Sequence, residues 1–332
     1  MQQLIFRLRL WYKPIQVVKN IAVLLLFLSQ PLFAQNIQDA RKLYEERKAA
    51  DAKKILAGFK EGGKDYAEAQ YYLGRISFDE KNYDDAEEFF EESIEANGQV
   101  PEYHNWLGNT YGQIAQDANM LKKSSLAPKM RSEWEKAVSL KADYIDPREA
   151  LVQYYLQAPG FLGGGVDKAE ETAKQIMKIN AARGHAQMGA IYVHEKQIPE
   201  AEKEYLEMAK ADPNTRARLS NFYLSQKMYD KSFALSEDAL KKDPNDMVAM
   251  YVIGRTSAVS GTKLDRGEEC LKKYLQYVPK SNEPSHAGAT MRLAQIVEKK
   301  GNKVAAKDLF DKALRMDGNL KEAKEGLERT SK

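Results

Sequence analysis

Apolar and small residues recur along residues 37–320 at the spacing of amphipathic helices, and the pattern repeats about every 34 residues. The pair Leu73-Gly74 returns as Leu107-Gly108, 34 residues later. Related pairs of one large apolar and one small residue follow at Met188-Gly189, Ile253-Gly254 and Leu293-Ala294. A self-similar frame of this length predicts a chain built from repeated helical units.

Each predicted second helix combines a small residue with an aromatic residue one turn later. The pairs are Ala86 with Phe90, Ala201 with Tyr205, and Ala306 with Phe310. The small residue lets the paired helix approach, and the aromatic ring fills the space one turn later. Asp-Pro at 212–213 and 243–244 then ends the unit, because proline cannot continue a helix. No unit buries its apolar face alone, so neighbouring units are expected to stack.

This pattern resembles the tetratricopeptide repeat, in which a Leu-Gly/Ala pair and Tyr on a first helix face Ala, an aromatic residue and Ala on a second. The resemblance implies an all-α fold, an α-solenoid that winds as a right-handed superhelix of helix-turn-helix repeats. About six to eight repeats fit residues 35–320. Their approximate bounds are 37–66, 67–100, 101–145 with an insertion, 146–181 with a glycine loop, 182–212, 213–246, 247–281 and 287–320. Residues 321–332 are predicted to form a C-terminal capping helix.

Two units depart from the 34-residue frame. In the third unit the segment 116–131 is extra, and it is predicted to form longer helices that meet in a raised turn. In the fourth unit the sequence Ala-Pro-Gly-Phe-Leu-Gly-Gly-Gly at 158–165 separates the two helices. Together these segments resemble a subgroup of exported bacterial tetratricopeptide proteins that has no settled biochemical activity. The resemblance therefore bears on location more than on mechanism.

The first 34 residues differ from all that follow. They contain four basic residues and no acidic residue, and an apolar run from Ile21 to Leu28 precedes Ala34. This is the layout of a secretory signal peptide, which predicts cleavage near Ala34 and a periplasmic or secreted protein. The run is too short for a permanent membrane span in the mature protein, since a spanning helix needs about 20 apolar residues. An uncleaved anchor and a start codon placed too far upstream stay open as alternatives.

The positive charge of the chain belongs to this leader. Removing its four basic residues from 51 leaves 47 basic against 48 acidic residues, a net charge of −1. A near-neutral chain without aromatic residues set in a basic stripe gives no indication of nucleic-acid binding.

Motifs for catalysis, cofactors and metals are weak. The run Gly163–Gly165 leads into Asp167, which caps a helix and repels phosphate, so no nucleotide site is expected. His104, His185, His194 and His286 lie in different repeats and lack metal-ligand spacing. Cys270 is the only cysteine, so no intramolecular disulfide can form. We therefore predict a non-enzymatic protein with no catalytic residues, no cofactor and no metal.

The inner surface of the solenoid is the candidate partner-binding site. In this architecture, fixed positions of the first helices point into a concave groove, and here they carry mainly carboxamides with a few aromatic and charged side chains. The candidates are Tyr71, Arg75, Asn105, Asn109, Gln113, Glu149, Gln153, Gln157, His194, Asn221, Tyr251 and Arg255, with Gln295 in the same register. Asn and Gln both donate and accept hydrogen bonds, which suits an extended peptide. A clamp for a charged C-terminus is not expected, because Tyr71 stands where such a clamp needs lysine.

The sequence as a whole predicts a protein–protein interaction scaffold of the cell envelope that binds a protein or peptide. Two alternatives stay open. One is an accessory or assembly factor tethered by an uncleaved N-terminal segment. The other is a cryptic hydrolase within the third and fourth repeats, which would need a clustered acid, base and nucleophile.

Overall fold

The protein is described by a computed structural model that covers residues 36–281 and 283–331. All regular elements of this part of the chain are helices, which confirms the all-α prediction. The predicted signal peptide and its cleavage site near Ala34 lie outside the described residues.

The helices fall into two compact units that meet in sequence at Gly165 and Val166. The first unit contains α1 (Ile37–Glu45), α2 (Ala49–Leu56), α3 (Tyr66–Asp79), α4 (Tyr83–Ala96), α5 (Pro101–Asp117), α6 (Met120–Leu140), α7 (Ile145–Gln157) and a short 3-10 helix, Gly160–Leu162.

The second unit contains α8 (Val166–Ile179), α9 (Ala181–His194), α10 (Ile198–Ala211), a 3-10 turn (Pro213–Thr215), α11 (Arg216–Ser225), α12 (Tyr229–Lys242), α13 (Met247–Ser260), α14 (Leu264–Tyr274), α15 (His286–Lys299), α16 (Lys303–Met316) and α17 (Lys321–Thr330). In both units the largest helix contacts are between helices that are adjacent along the chain. Such contacts are local in sequence, as in other repeat proteins.

Several turns inside the helix pairs share one geometry. Lys81, Lys196 and Lys227 adopt left-handed backbone angles between two helices, and Gly301 occupies the same place before α16. At the first of these turns the Lys81 N–H donates to the carbonyl of residue 78 (3.0 Å), and the next N–H donates to that of residue 77 (2.8 Å). These two bonds satisfy carbonyls at the helix end and reverse the chain in three residues.

The small and aromatic residues of the repeat frame are buried between the paired helices. Ala86, Phe90, Ala306 and Phe310 are fully buried. Gly108 shows why the frame has a small residue, because a Cβ atom there would lie 2.6 Å from the indole nitrogen of Trp134. The aromatic ring of the second helix thus occupies the space that glycine leaves on the first.

The extra residues of the third unit lengthen its helices. α5 has 17 residues and α6 has 21, compared with 14 each for α3 and α4. The predicted raised turn is only Ala118 and Asn119, and the Asn119 side chain accepts a hydrogen bond from the Lys122 N–H (2.9 Å) that caps α6. The insertion is therefore helical over most of its length.

Candidate functional site

A groove of about 770 Å³ lies within the first unit, bounded by the long helices α5 and α6, by α7 and by the loop that follows α7. Its lining combines aromatic, aliphatic and small side chains with carboxamides. The lining residues on which the arguments below depend are Phe78, Trp106, Asn109, Gly112, Gln113, Gln116, Met120, Lys123, Ala127, Met130, Trp134, Ala150, Gln153, Tyr154, Gln157, Phe161 and Leu162. Both departures from the regular repeat contribute to it.

Trp134 supports the floor of this groove. Its ring is almost fully buried, and its Nε1–H donates to the Asn109 Oδ1 (3.0 Å). Because the Asn109 Oδ1 accepts this hydrogen bond, the orientation of its carboxamide is fixed. The position of Trp134 against Gly108 therefore also determines how the Asn109 carboxamide is oriented in the site.

Arg75 lies behind the groove and supports Trp106. The guanidinium carbon is 3.8 Å from the centre of the Trp106 ring, and the two terminal nitrogens donate to the hydroxyl oxygens of Tyr71 (2.8 Å) and Tyr44 (2.9 Å). Burial raises the pKa of Tyr44 to about 12, although Arg75 lowers it, so the hydroxyl stays neutral at physiological pH. The arginine is thus a structural cation that positions an aromatic wall.

The glycine loop is fixed by two side chains that converge on one carbonyl. The Leu162 carbonyl accepts from the Tyr154 hydroxyl (2.6 Å) and from Arg131 Nη1 (3.2 Å). Gly163 has φ +89°, and a Cβ atom there would lie 1.8 Å from Arg131 Nη1. Only glycine satisfies both conditions, so the loop is built to accept the arginine and to project Phe161.

Met120 and Phe161 stand at the rim of the groove, and Leu121 follows Met120 in the first turn of α6. Met120 is 79% exposed, Leu121 is 82% exposed and Phe161 is 85% exposed. Within the described part of the first unit, residues 36–165, these are the exposed large apolar side chains. Two of them, Met120 and Phe161, line the groove directly, so they mark a surface that is suited to contact another molecule.

The groove carries little charge. Lys123 is the one charged side chain among the residues that line it. Five carboxamides accompany it, and Gln113, Gln116 and Gln157 make no side-chain hydrogen bond to any described residue. These groups can donate to and accept from a bound backbone. A lining of this kind suits the binding of a largely uncharged molecule.

Comparison with known families identifies the repeat. Two family models, both described as tetratricopeptide repeat, match residues 67–99 and residues 256–320. The chain is a tetratricopeptide-repeat protein. The matches fall on the regular part of the first unit and on the last part of the second.

Solved structures also align with this chain. Yeast Tom70 aligns with a TM-score of 0.57 at 15% sequence identity, over 82% of this chain and 58% of that chain. A tetratricopeptide repeat protein from Parabacteroides merdae aligns with a TM-score of 0.49 at 17% identity, over 80% of this chain and 99% of that chain. No relative was found among the curated proteins. The likeness to Tom70 shows a common fold.

The predicted site residues of the first unit divide into two groups. Asn109, Gln113, Gln153 and Gln157 line the groove of this tetratricopeptide protein. The others do not. Tyr71 and Asn105 are buried, Arg75 lies behind Trp106, and Glu149 is half-buried outside the lining.

The expectation that Tyr71 and Asn105 present open side chains is wrong. Tyr71 stacks on Tyr103, with ring centres 5.0 Å apart, and packs edge-on against Tyr72. Asn105 is only 4% exposed. Neighbouring aromatic residues close over these two positions, so they support the repeat and do not form its open surface.

The predicted site residues of the second unit lie in other surroundings. Asn221 accepts a hydrogen bond from Arg255 Nη1, and Tyr251 packs near Tyr274, with ring centres 5.4 Å apart. His194 is exposed at the end of α9. Gln295 donates to Glu322 (3.0 Å). Most of these side chains are thus engaged with partners of their own unit.

Sequence reasoning missed the apolar part of the groove. The repeat frame gives no indication that Trp106 and Trp134 line a groove, and Phe161 belongs to the segment 158–165, which the sequence presents only as a separator of two helices. The signal available was the insertion itself, because additions to a repeat protein tend to collect on one functional face.

Neither a metal site nor a reactive thiol is present in the described chain. His104 Nδ1 lies 2.6 Å from Glu133, and His185 Nδ1 lies 2.7 Å from Glu204, each as an isolated pair. No group of three or more possible ligands is assembled among the described residues. Cys270 is buried, and burial raises the pKa of its thiol to about 11. Within the same residues, no helix is both long and apolar enough to cross a membrane.

Proposed function

We propose that this chain is a non-enzymatic interaction scaffold of the cell envelope that binds a partner protein or peptide in the groove of its first unit. Tetratricopeptide proteins generally mediate protein–protein interactions. The observation that carries the proposal is the groove itself, in which both insertions and four sequence-predicted carboxamide residues meet. We call it the α5–α7 groove.

The chemistry of the α5–α7 groove suits a polypeptide. An extended chain presents alternating N–H and C=O groups, and carboxamides such as Gln113 and Gln157 can pair with both. Between them, Ala127, Ala150 and Met130 give apolar surface for side chains of the partner. Binding in such a groove needs no cofactor, metal or nucleic acid.

A cryptic hydrolase in the third and fourth repeats is the weaker candidate. Hydrolysis needs a nucleophile with a base and a group that stabilises the transition state. The lining of the α5–α7 groove offers Lys123 as its one charged group and contains no histidine, cysteine or carboxylate. This composition favours binding over catalysis.

The envelope location rests on the N-terminal sequence. A cleaved leader would release a mature protein that begins at Gln35 into the periplasm or the medium. An uncleaved leader would tether it as an accessory or assembly factor. Intact mass spectrometry of the protein recovered from the periplasmic and membrane fractions distinguishes the two, because only cleavage removes residues 1–34.

The binding function is tested by filling the groove. Ala127→Arg places a long side chain in the α5–α7 groove, and Ser132→Arg adds the same side chain to an exposed site of α6 outside the lining. Both variants are expressed as the exported protein and crosslinked in an envelope fraction, and their partners are identified by mass spectrometry. We expect Ala127→Arg to lose partners that Ser132→Arg retains. Equal recovery by the two folded variants would refute this site.

A further inference from the structure

We infer that Met120, Leu121 and Phe161 form an apolar clamp at the rim of the α5–α7 groove, and that the clamp selects a neutral or acidic peptide segment with a large apolar side chain. This inference rests on the proposed function and specifies the class of its partner. It concerns the two insertions, which the regular repeat lacks.

The clamp has two sides that come from separate insertions. Met120 and Leu121 occupy the first turn of α6, and Phe161 lies in the 3-10 helix after α7. All three are at least 79% exposed. Exposed apolar side chains are ordinary when scattered, but a cluster beside a groove indicates a contact surface.

Both sides of the clamp are held in place before any partner binds. Asn119 caps α6 and so fixes the turn that carries Met120 and Leu121. Arg131 and Tyr154 hold the Leu162 carbonyl, next to Phe161. A preorganised surface loses little conformational entropy on binding, so its apolar contacts count more fully toward affinity.

The floor between the two sides accepts an apolar side chain. Ala127, Met130 and Ala150 line it together with Trp106 and Trp134. A leucine, methionine or aromatic side chain of a partner would exchange water for these surfaces on entering. The carboxamides along the groove would then hold the partner backbone on either side of this anchor.

Charge restricts the partner further. Lys123 is the one charged residue of the lining. It lies at the start of α6, close in sequence to Met120 and Leu121. A lysine or arginine next to the anchor would be repelled there, whereas a carboxylate or a neutral residue would be accepted. The groove therefore complements a neutral or acidic segment.

A peptide fits these observations better than a lipid surface. A bilayer would contact the rim alone and would leave the carboxamides of the groove unused. We therefore commit to a peptide segment, and lipid binding and self-association become outcomes of the test.

The test selects random dodecapeptides displayed on phage against the exported protein and then measures the affinity of selected peptides by fluorescence anisotropy. We expect enrichment of Phe, Leu, Met and Trp and depletion of Lys and Arg. Phe161→Ser, and Met120→Ser with Leu121→Ser, should each weaken binding roughly tenfold to a hundredfold. Val304→Ser removes an equally exposed apolar side chain from the second unit and should leave affinity unchanged. Lys123→Glu should make basic residues acceptable beside the anchor.

Other results overturn the inference. If Ala127→Arg abolishes peptide binding while Phe161→Ser and the double variant retain it, the groove binds peptides and the clamp is wrong. Selection of Lys-rich or Arg-rich peptides, or of none, also contradicts it. Phe161-dependent binding to vesicles of phosphatidylethanolamine and phosphatidylglycerol without peptide binding would identify a lipid surface instead. Phe161-dependent self-association, measured by light scattering, would identify a second copy of the chain.

Discussion

In both units, a polar side chain directly follows the small residue of the repeat frame, but these side chains have different partners. In the first unit, Asn109 follows Gly108 and is fixed by Trp134 at the floor of a groove. In the second unit, Arg255 follows Gly254 and donates to Asn221, and Gln295 follows Ala294 and donates to Glu322. The same register thus places Asn109 in a groove, whereas Arg75 of the first unit and Arg255 and Gln295 of the second unit form internal pairs.

Helix length accounts for the difference in the first unit. The long pair α5 and α6 extends beyond the regular frame, and the loop after α7 is fixed to α6 through Arg131. The extra turns add surface that the regular pair does not have, and this surface lines the groove. Repeats supply a scaffold, and departures from the repeat supply the site.

The largest expected effect comes from a comparison of Phe90, in the repeat core, with Phe161, at the rim of the groove. Phe90→Ala removes a fully buried ring and should lower the free energy of unfolding by about 3–5 kcal/mol. Since repeats contact mainly their neighbours, unfolding in urea should become multistate, with circular dichroism and tryptophan fluorescence no longer coincident. Phe161→Ala is the matched control, because its ring is 85% exposed and its loss should leave the urea transition unchanged. An unchanged transition for Phe90→Ala would contradict the packing described for α3 and α4.

Two glycines one turn apart on α5 give a second comparison. Gly108→Ala would push a methyl group against Trp134 and should cost about 1–3 kcal/mol of unfolding free energy. At Gly112 a Cβ would meet only the Met130 Cε, at an ordinary 3.7 Å. Gly112→Ala should therefore raise stability by up to about 1 kcal/mol through helix propensity. Because Gly112 lines the groove, its variant should also bind selected peptides more weakly.

Thermal unfolding of both glycine variants beside the parent protein checks this pair. Destabilisation by Gly112→Ala equal to that of Gly108→Ala would mean that the groove is packed more tightly at this point than the structure indicates.

Most of the fold and part of the site could be predicted from the sequence. The Leu-Gly pairs and the Ala-aromatic pairs gave the helix pairs, because local spacing determines which face each helix buries. Register also placed Gln153 and Gln157 in the groove. It failed at Tyr71 and Asn105, where side chains from neighbouring helices close over the position. Burial of this kind depends on tertiary contacts that no single-helix pattern contains.

The smallest expected effect concerns the contact of Glu322 with Arg292 and Gln295 in the second unit. Burial raises the pKa of Glu322, but hydrogen bonds from Arg292 and Gln295 lower it more, so the carboxyl is held below its ordinary pKa. A depressed folded pKa stabilises the protein above the unfolded pKa, about 4.3, and the contribution is lost as pH falls through the folded value. Glu322→Gln should therefore cost about 0.5–1 kcal/mol at pH 7 and little in acid, since the side chain is half exposed.

Melting temperatures of the parent and Glu322→Gln between pH 3 and 7 measure this dependence. Glu325→Gln on the same helix is the control, because its only ion pair is the loose contact of 3.9 Å with Lys321 among the described residues. If the difference between the parent and Glu322→Gln stays constant across the pH range, the carboxylate of Glu322 does not hold α17 to α15.

The burial of Cys270 makes the chain convenient for spectroscopy. It is the only cysteine in the sequence, and a thiol with a pKa near 11 is almost entirely protonated under ordinary labelling conditions. Maleimide dyes and spin labels react with thiolates, so the natural protein should remain nearly unlabelled. A cysteine introduced at Phe161 or Leu121 would then carry the probe alone. Paired labels across the rim would report the distance between its two sides with and without a bound peptide, without removal of any native residue from the core.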